Sequence, residues 1–151
     1  MNPARIIPDL QSSLLCEGVR QEANGNLIVL GVMGLIRVPQ VPITAQVMFV
    51  LNRWTAGVGQ FTETVRFIAP DQTTLVRKGE AKFVLQDPSH SATNMMGLQQ
   101  VEFKVPGVYW MEVLVDDVMK LRYPVPVAVV PPPGQQGQPG AEAQPPAAPA
   151  Q

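Results

Sequence analysis

A single cysteine, Cys16, stands in 151 residues, so no intramolecular disulfide framework holds this chain together. There is also only one histidine, His90. With one of each, a zinc site would have to be built mainly from carboxylates, which is uncommon. Neither sign of charge is in excess: 11 Lys and Arg against 12 Asp and Glu give a formal net charge of -1. Nucleic-acid binders usually carry a basic stripe, and none is expected here. No apolar run approaches the roughly 20 residues that span a bilayer. The longest, Leu27–Val32 and 47–51, are far shorter. Residues 1–10 have neither the basic run nor the apolar stretch of a secretory signal. The expectations are a cytoplasmic protein with no nucleic-acid partner, no membrane and no cofactor.

What the chain does have is alternation, clearest over residues 108–130. Tyr109, Met111, Val113 and Val115 are apolar, with Glu112 between them; Leu121, Tyr123, Val125, Val127 and Val129 repeat the pattern around Lys120 and Arg122. Period-two alternation on two arms predicts a hairpin of half-buried strands. If both arms turn their odd residues inward, cross-strand partners share parity, because a slip of one residue turns every side chain over. A three-residue loop, 116–118, meets that condition. It pairs Val115 with Met119, Val113 with Leu121, Met111 with Tyr123 and Tyr109 with Val125. It also sets Glu112 against Arg122 and Trp110 against Pro124. Pro124 and Pro126 lack N–H groups on one and the same side, which predicts an edge strand over 121–130.

The rest of the chain supplies further strands. Residues 10–19 read as a first strand. Asn24-Gly25 marks a turn, and Leu27–Val32 follows as a central strand. In 44–54, Ala45, Val47, Phe49 and Leu51 are taken as the inward face. In 60–68 the inward set is Phe61, Val65 and Phe67, interrupted by Glu63. Short strands are expected over 73–78 and 81–85, then a long polar loop over 87–97. A strand over 98–105 with Val101, Phe103 and Val105 inward leads into the hairpin. Seven or eight short strands and no helix predict an all-β, two-sheet antiparallel β-sandwich, immunoglobulin-like or similar. The boundaries are a lead-in over 1–9, the sandwich over 10–130, and a disordered tail over 131–151, where Pro, Gly, Gln and Ala leave nothing to bury. Within the tail, Pro146 and Pro149 form a PxxP pattern without an accompanying Arg or Lys.

Chemistry is thinly represented. Ser89-His90 can be written as a nucleophile and base, but such pairs are recognised by geometry, not adjacency. Cys16 beside Leu14-Leu15 reads as a small buried hydrophobe. Glu63, Glu80, Glu102 and Glu112 read as solvated positions. Asp116 and Asp117, with Asp71 and Asp87 in other turns, could gather calcium, although aspartate is common in turns for backbone reasons alone. The candidate contact residues are Trp54, Trp110, Pro124, Met95 and Met96, since exposed tryptophan and adaptable methionine suit interfaces.

The run LLCEGVRQEANGNLIVLGV (14–32), the FTETVRFIAPD segment, FKVPGVYWMEVLVDD and the closing YPVPV resemble an uncharacterised bacterial β-sandwich family over residues 14–130. That resemblance implies the sandwich and brings no activity. Gly107-x-Tyr109 is also similar to the entry of a late strand in immunoglobulin-like domains, with Met111 where their cysteine would stand. The functional expectation is a non-catalytic domain that acts by contact with a protein partner or by self-association. The alternative is a glycan- or calcium-binding module using exposed tryptophan and the turn aspartates.

Overall fold

The structure, a computed structural model, describes residues 5–131. Apart from Pro131, the expected tail and its PxxP pattern lie outside the described residues, as do residues 1–4 of the lead-in. Nine strands form two sheets: β1 Asp9–Gln21, β2 Leu27–Val32, β3 Ile36–Val38, β4 Ile43–Thr55, β5 Gly59–Ile68, β6 Leu75–Leu85, β7 Ser91–Phe103, β8 Gly107–Val115 and β9 Val118–Val129. One sheet has the order β2-β1-β4-β7 and the other β3-β9-β8-β5-β6. The all-β expectation holds, with nine strands instead of seven or eight. The sheets are not wholly antiparallel. β3 runs parallel to β9, so the five-stranded sheet is mixed, and it curls into a half-barrel.

β8 and β9 form the predicted hairpin, and its register is as read from Tyr109 opposite Val125 to Val113 opposite Leu121. The loop differs. Val115 pairs with Val118, leaving a two-residue turn in which Asp116 and Asp117 take φ of 47° and 68°, as a type I′ turn requires. Beyond the turn, Leu114 pairs with Met119 and Val113 with Leu121, so Lys120 is an extra residue. The odd residue that parity demands sits in the strand as a bulge, not in the turn. Edge placement of β9 holds only up to Pro126. Past the second proline, residues 127–129 take β3 as a neighbour.

β4 shows the reverse of the expected face. Met48, Val50, Asn52 and Trp54 are buried, while Val47 is exposed. Both parities are apolar over 47–51, so alternation alone could not choose between them. Ile43 and Ala45 still pack on the core, so the strand turns over between Ala45 and Met48. β7 turns over at the same level, from Val101 and Phe103 to Leu98 and Met96. There Gln46 and Gln100 drop out of the ladder, and Gln100 has φ of 54°. The other corrections are of extent. β7 begins at Ser91, inside the expected loop, and β6 joins two expected strands through Gly79. β2 lies at a sheet edge, not its centre. Val105, Leu121 and Val129 are exposed.

The core lies between the sheets. Leu15, Met48, Val50, Leu98 and Phe103 face Val65, Phe67, Tyr109, Met111, Val125 and Val127. Tyr109 stacks on Phe67 at 5.3 Å between ring centroids, and Phe103 meets both rings edge-on. The Tyr109 hydroxyl donates to the Val105 carbonyl at 2.7 Å, where the chain crosses from one sheet to the other. Tyr123 is half-buried, its hydroxyl 3.1 Å from Ser13 Oγ on the facing sheet. A second cluster gathers Trp54, Phe61, Phe83, Leu85, Val113 and Val115.

Candidate interaction surface

The outer side of the four-stranded sheet is built from residues that alternate with the core set. Leu15, Val50 and Met96 point inward, so the neighbouring rows of the ladder point outward. One outward row is Leu14–Leu51–Met95; the next is Val32–Cys16–Phe49–Gly97, followed by Val47 beside Gln99. An outer sheet face is ordinarily polar. This one carries Val32 at 58% exposure and Met95 at 51%, with Leu14 and Val47 also exposed. Its end is polar: Arg53 donates to Gln11 Oε1 at 2.9 Å and to Thr93 Oγ1 at 3.0 Å.

The β1–β2 hairpin closes over the polar end of this face. Cys16 pairs with Val32 and Gly18 with Leu30, but Glu17 and Gly31 drop out between them. Gly31 has φ of 65°, and a Cβ there would fall 2.7 Å from the Glu17 carboxyl. Any larger residue at that corner would have to push the Glu17 side chain aside, and the positive φ favours glycine. Past it the arm folds back, since a groove of about 690 Å3 is lined by Ser12, Leu51, Arg53 and Thr93 on one side and by Gln21, Leu27 and Val29 on the other. A straight strand would hold Ser12 and Gln21 about 30 Å apart. The volume is within the range of ligand sites, roughly 300–1,000 Å3. Cys16 lies fully buried on the sheet side, where desolvation pushes its thiol up from the ordinary value.

The expected contact residues divide among three places. Met95 is on the groove side of the sheet, whereas Met96, its neighbour on a strand, is buried in the core. Trp54 does face away from Phe49, but Phe49 is the outward one. Trp54 is therefore 0% exposed and not the exposed ring expected. Trp110 is half-buried on the far side of the molecule, beside exposed Pro124 and beneath the Arg122 guanidinium, 4.1 Å from its ring centroid. The groove residues Val29, Leu51 and Arg53, and Leu14 and Val47 on the same outer face, are not among the contact residues expected from sequence. The signal that could have found them is apolar character on both parities over 27–32 and 47–51.

Glu63 overturns its reading as a solvated residue. It is 0% exposed. Its Oε1 accepts from the Trp54 indole at 2.6 Å and from the Asn94 amide at 2.9 Å; its Oε2 accepts from the Asn52 amide at 2.9 Å. Glu112 is also largely buried, between Arg66 at 3.2 Å and Arg122 at 3.5 Å.

The turn aspartates serve the backbone. Asp116 accepts from Thr62 N–H at 2.9 Å and pairs with Arg5. Among the described residues no group of three or more His, Cys, Asp or Glu is placed to hold a metal. The Ser89 hydroxyl donates to Asp87 at 2.6 Å, not to His90, and these bonds hold the Asp87 carboxyl below its ordinary value. Asp71 caps the β5–β6 turn. Hydrogen bonds from the Thr74 hydroxyl and from the Thr74 and Thr73 N–H groups lower its carboxyl from 3.8 to about 2. Because the folded carboxyl gives up its proton more readily than the unfolded one, its contribution is complete above 3.8 and is lost as pH falls through about 2. A carbon-detected NMR titration should show Asp71 with its midpoint near 2, moving up towards 3.8 in Thr74→Val. An unchanged midpoint in that variant would remove the Thr74 hydroxyl as the cause.

These features define a class: an all-β domain of nine strands in two sheets, with a groove of mixed polar and apolar lining beneath a folded-back hairpin arm. Residues 11–128 match the family described as Family of unknown function (DUF6941), and the chain belongs to that family. The match takes in the arm and the groove. No curated protein matches the chain.

Proposed function

We propose that this domain is a non-catalytic protein-interaction module, and that the groove between the arm and the four-stranded sheet receives an extended apolar segment of a partner protein. The observation that carries the reading is the pair of apolar rows on a sheet's outer side, with Met95, Leu14 and Val47 exposed. Contiguous exposed apolar surface of this kind marks interaction sites. The polar row of Ser12, Arg53 and Thr93 beside it gives the apolar-centre, polar-rim arrangement of an interface. A strand-like guest suits a space whose two walls are both β-structure, as in other extended-peptide sites.

The finer fold reading is an immunoglobulin-like sandwich. In its support, β4 and β7 stand adjacent as strands B and E do, and β5, β8 and β9 share the other sheet as C, F and G do. The Tyr109–Val105 bond has the form of a tyrosine corner.

A photo-crosslinking residue placed at Met95 or at Leu14 should trap the same partner protein in cells. The same residue at Lys82, on the other sheet, should not. If adducts at Met95 and Leu14 match those at Lys82, the groove is not the contact site.

A further inference from the structure

We infer that β2 is a docking edge for a second copy of this chain, which pairs its own β2 antiparallel to it across a two-fold axis. The inference comes from comparing the edges that the two sheets leave open. Unpaired edges invite another strand, and proteins ordinarily blunt them with charge, proline, bulges or short length. β9 is blunted by Lys120 in a bulge, by Arg122 and by two prolines. β3 has three residues, one of them Arg37. β6 carries Arg77, Lys78, Glu80 and Lys82, and β7 lies against β6, with Met96 over Gly79. β2, Leu-Ile-Val-Leu-Gly-Val, is short and kinked at Gly31, but over residues 27–30 it is regular and without a charge or a proline. Leu27, Ile28, Leu30 and Val32 are all exposed.

The arm is also incomplete as a structural unit. Past the corner at Gly31 it is two-stranded, and a lone two-stranded hairpin is marginal; three or more strands with an apolar face are needed for independent stability. Pairing β2 with its copy makes four strands, β1-β2-β2-β1. Identical strands that meet antiparallel are self-complementary under a two-fold axis, so the chain itself is the partner whose edge is certain to fit. The regular part of the seam, residues 27–30, is about 14 Å long at ~3.4 Å per residue. Such a seam sits at or below the roughly 1,000 Å2 of a stable interface, so the dimer should depend on concentration.

The inference does not depend on what fills the groove, because the groove is lined by the other side of the arm. Sedimentation equilibrium of the full chain from about 1 µM to about 1 mM should show the mass rising towards twofold. Ile28→Lys with Leu30→Lys, both at exposed positions, should keep the mass monomeric with an unchanged melting temperature. Met95→Lys, a variant on the outer face of β7, should dimerise as the natural chain does. Hydrogen exchange at high concentration should newly protect β2 amides. A chain that stays monomeric throughout, a double-lysine variant that still dimerises, or a dimer whose β2 amides gain no protection would each overturn the inference.

Discussion

Replacing Glu63 with leucine should lower the free energy of unfolding by on the order of 3–5 kcal/mol, read from urea denaturation at an unchanged slope. The carboxyl group reaches from β5 to both β4 and β7 and takes three N–H donors. Leucine would leave the Trp54 indole and the Asn52 and Asn94 amides facing an apolar side chain. Each unpaired buried donor costs about 1–3 kcal/mol, partly offset by the apolar gain. Glu63→Gln keeps one oxygen and should lose less. Because Trp54 shares the bond, Trp54→Phe and Glu63→Leu should together cost less than their separate losses combined. A loss below about 1 kcal/mol for Glu63→Leu would mean that the donors reach water and the group is not a clamp.

Gly79→Val is the second large effect, a loss of about 2 kcal/mol from overpacking. β6 and β7 meet along one flank of the two sheets, and a Cβ at Gly79 would fall 2.2 Å from Met96 Sδ and 3.5 Å from Leu98 Cδ2. Methionine is flexible enough to be displaced, but Met96 is buried in the core, so its displacement disturbs the packing beneath. The pair Gly79→Val and Met96→Ala should therefore cost less than their single losses added. Strict additivity would show that the two residues do not compete for the same space.

The sequence makes the closing hairpin legible because its two faces differ in kind. Tyr109, Met111 and Val113 against Glu112, and Leu121, Tyr123 and Val125 against Arg122, fix the parity and with it the register, although Glu112 itself is largely buried between two arginines. β4 was misread for the opposite reason. Val47, Phe49 and Leu51 are as apolar as Met48 and Val50, so period two reports that faces alternate without saying which is inside. Glu63 stood at an inward parity between Phe61 and Val65, and its chemistry was taken to outweigh its position. Its three partners come from strands distant in sequence, and no local pattern could reveal them. The groove was hidden similarly: Ser12, Leu51 and Arg53 become neighbours of Gln21, Leu27 and Val29 only through the fold-back at Gly31.

That fold-back changes what kind of object the domain is. With the arm lying over one end of it, the four-stranded sheet carries apolar residues on both surfaces, Leu15, Val50 and Met96 on one and Leu14, Val47 and Met95 on the other. Trimming residues 17–31 would remove one whole wall of the groove, Gln21, Leu27 and Val29. The arm is thus no ornament on a finished fold, because the groove exists only where the chain doubles back on itself.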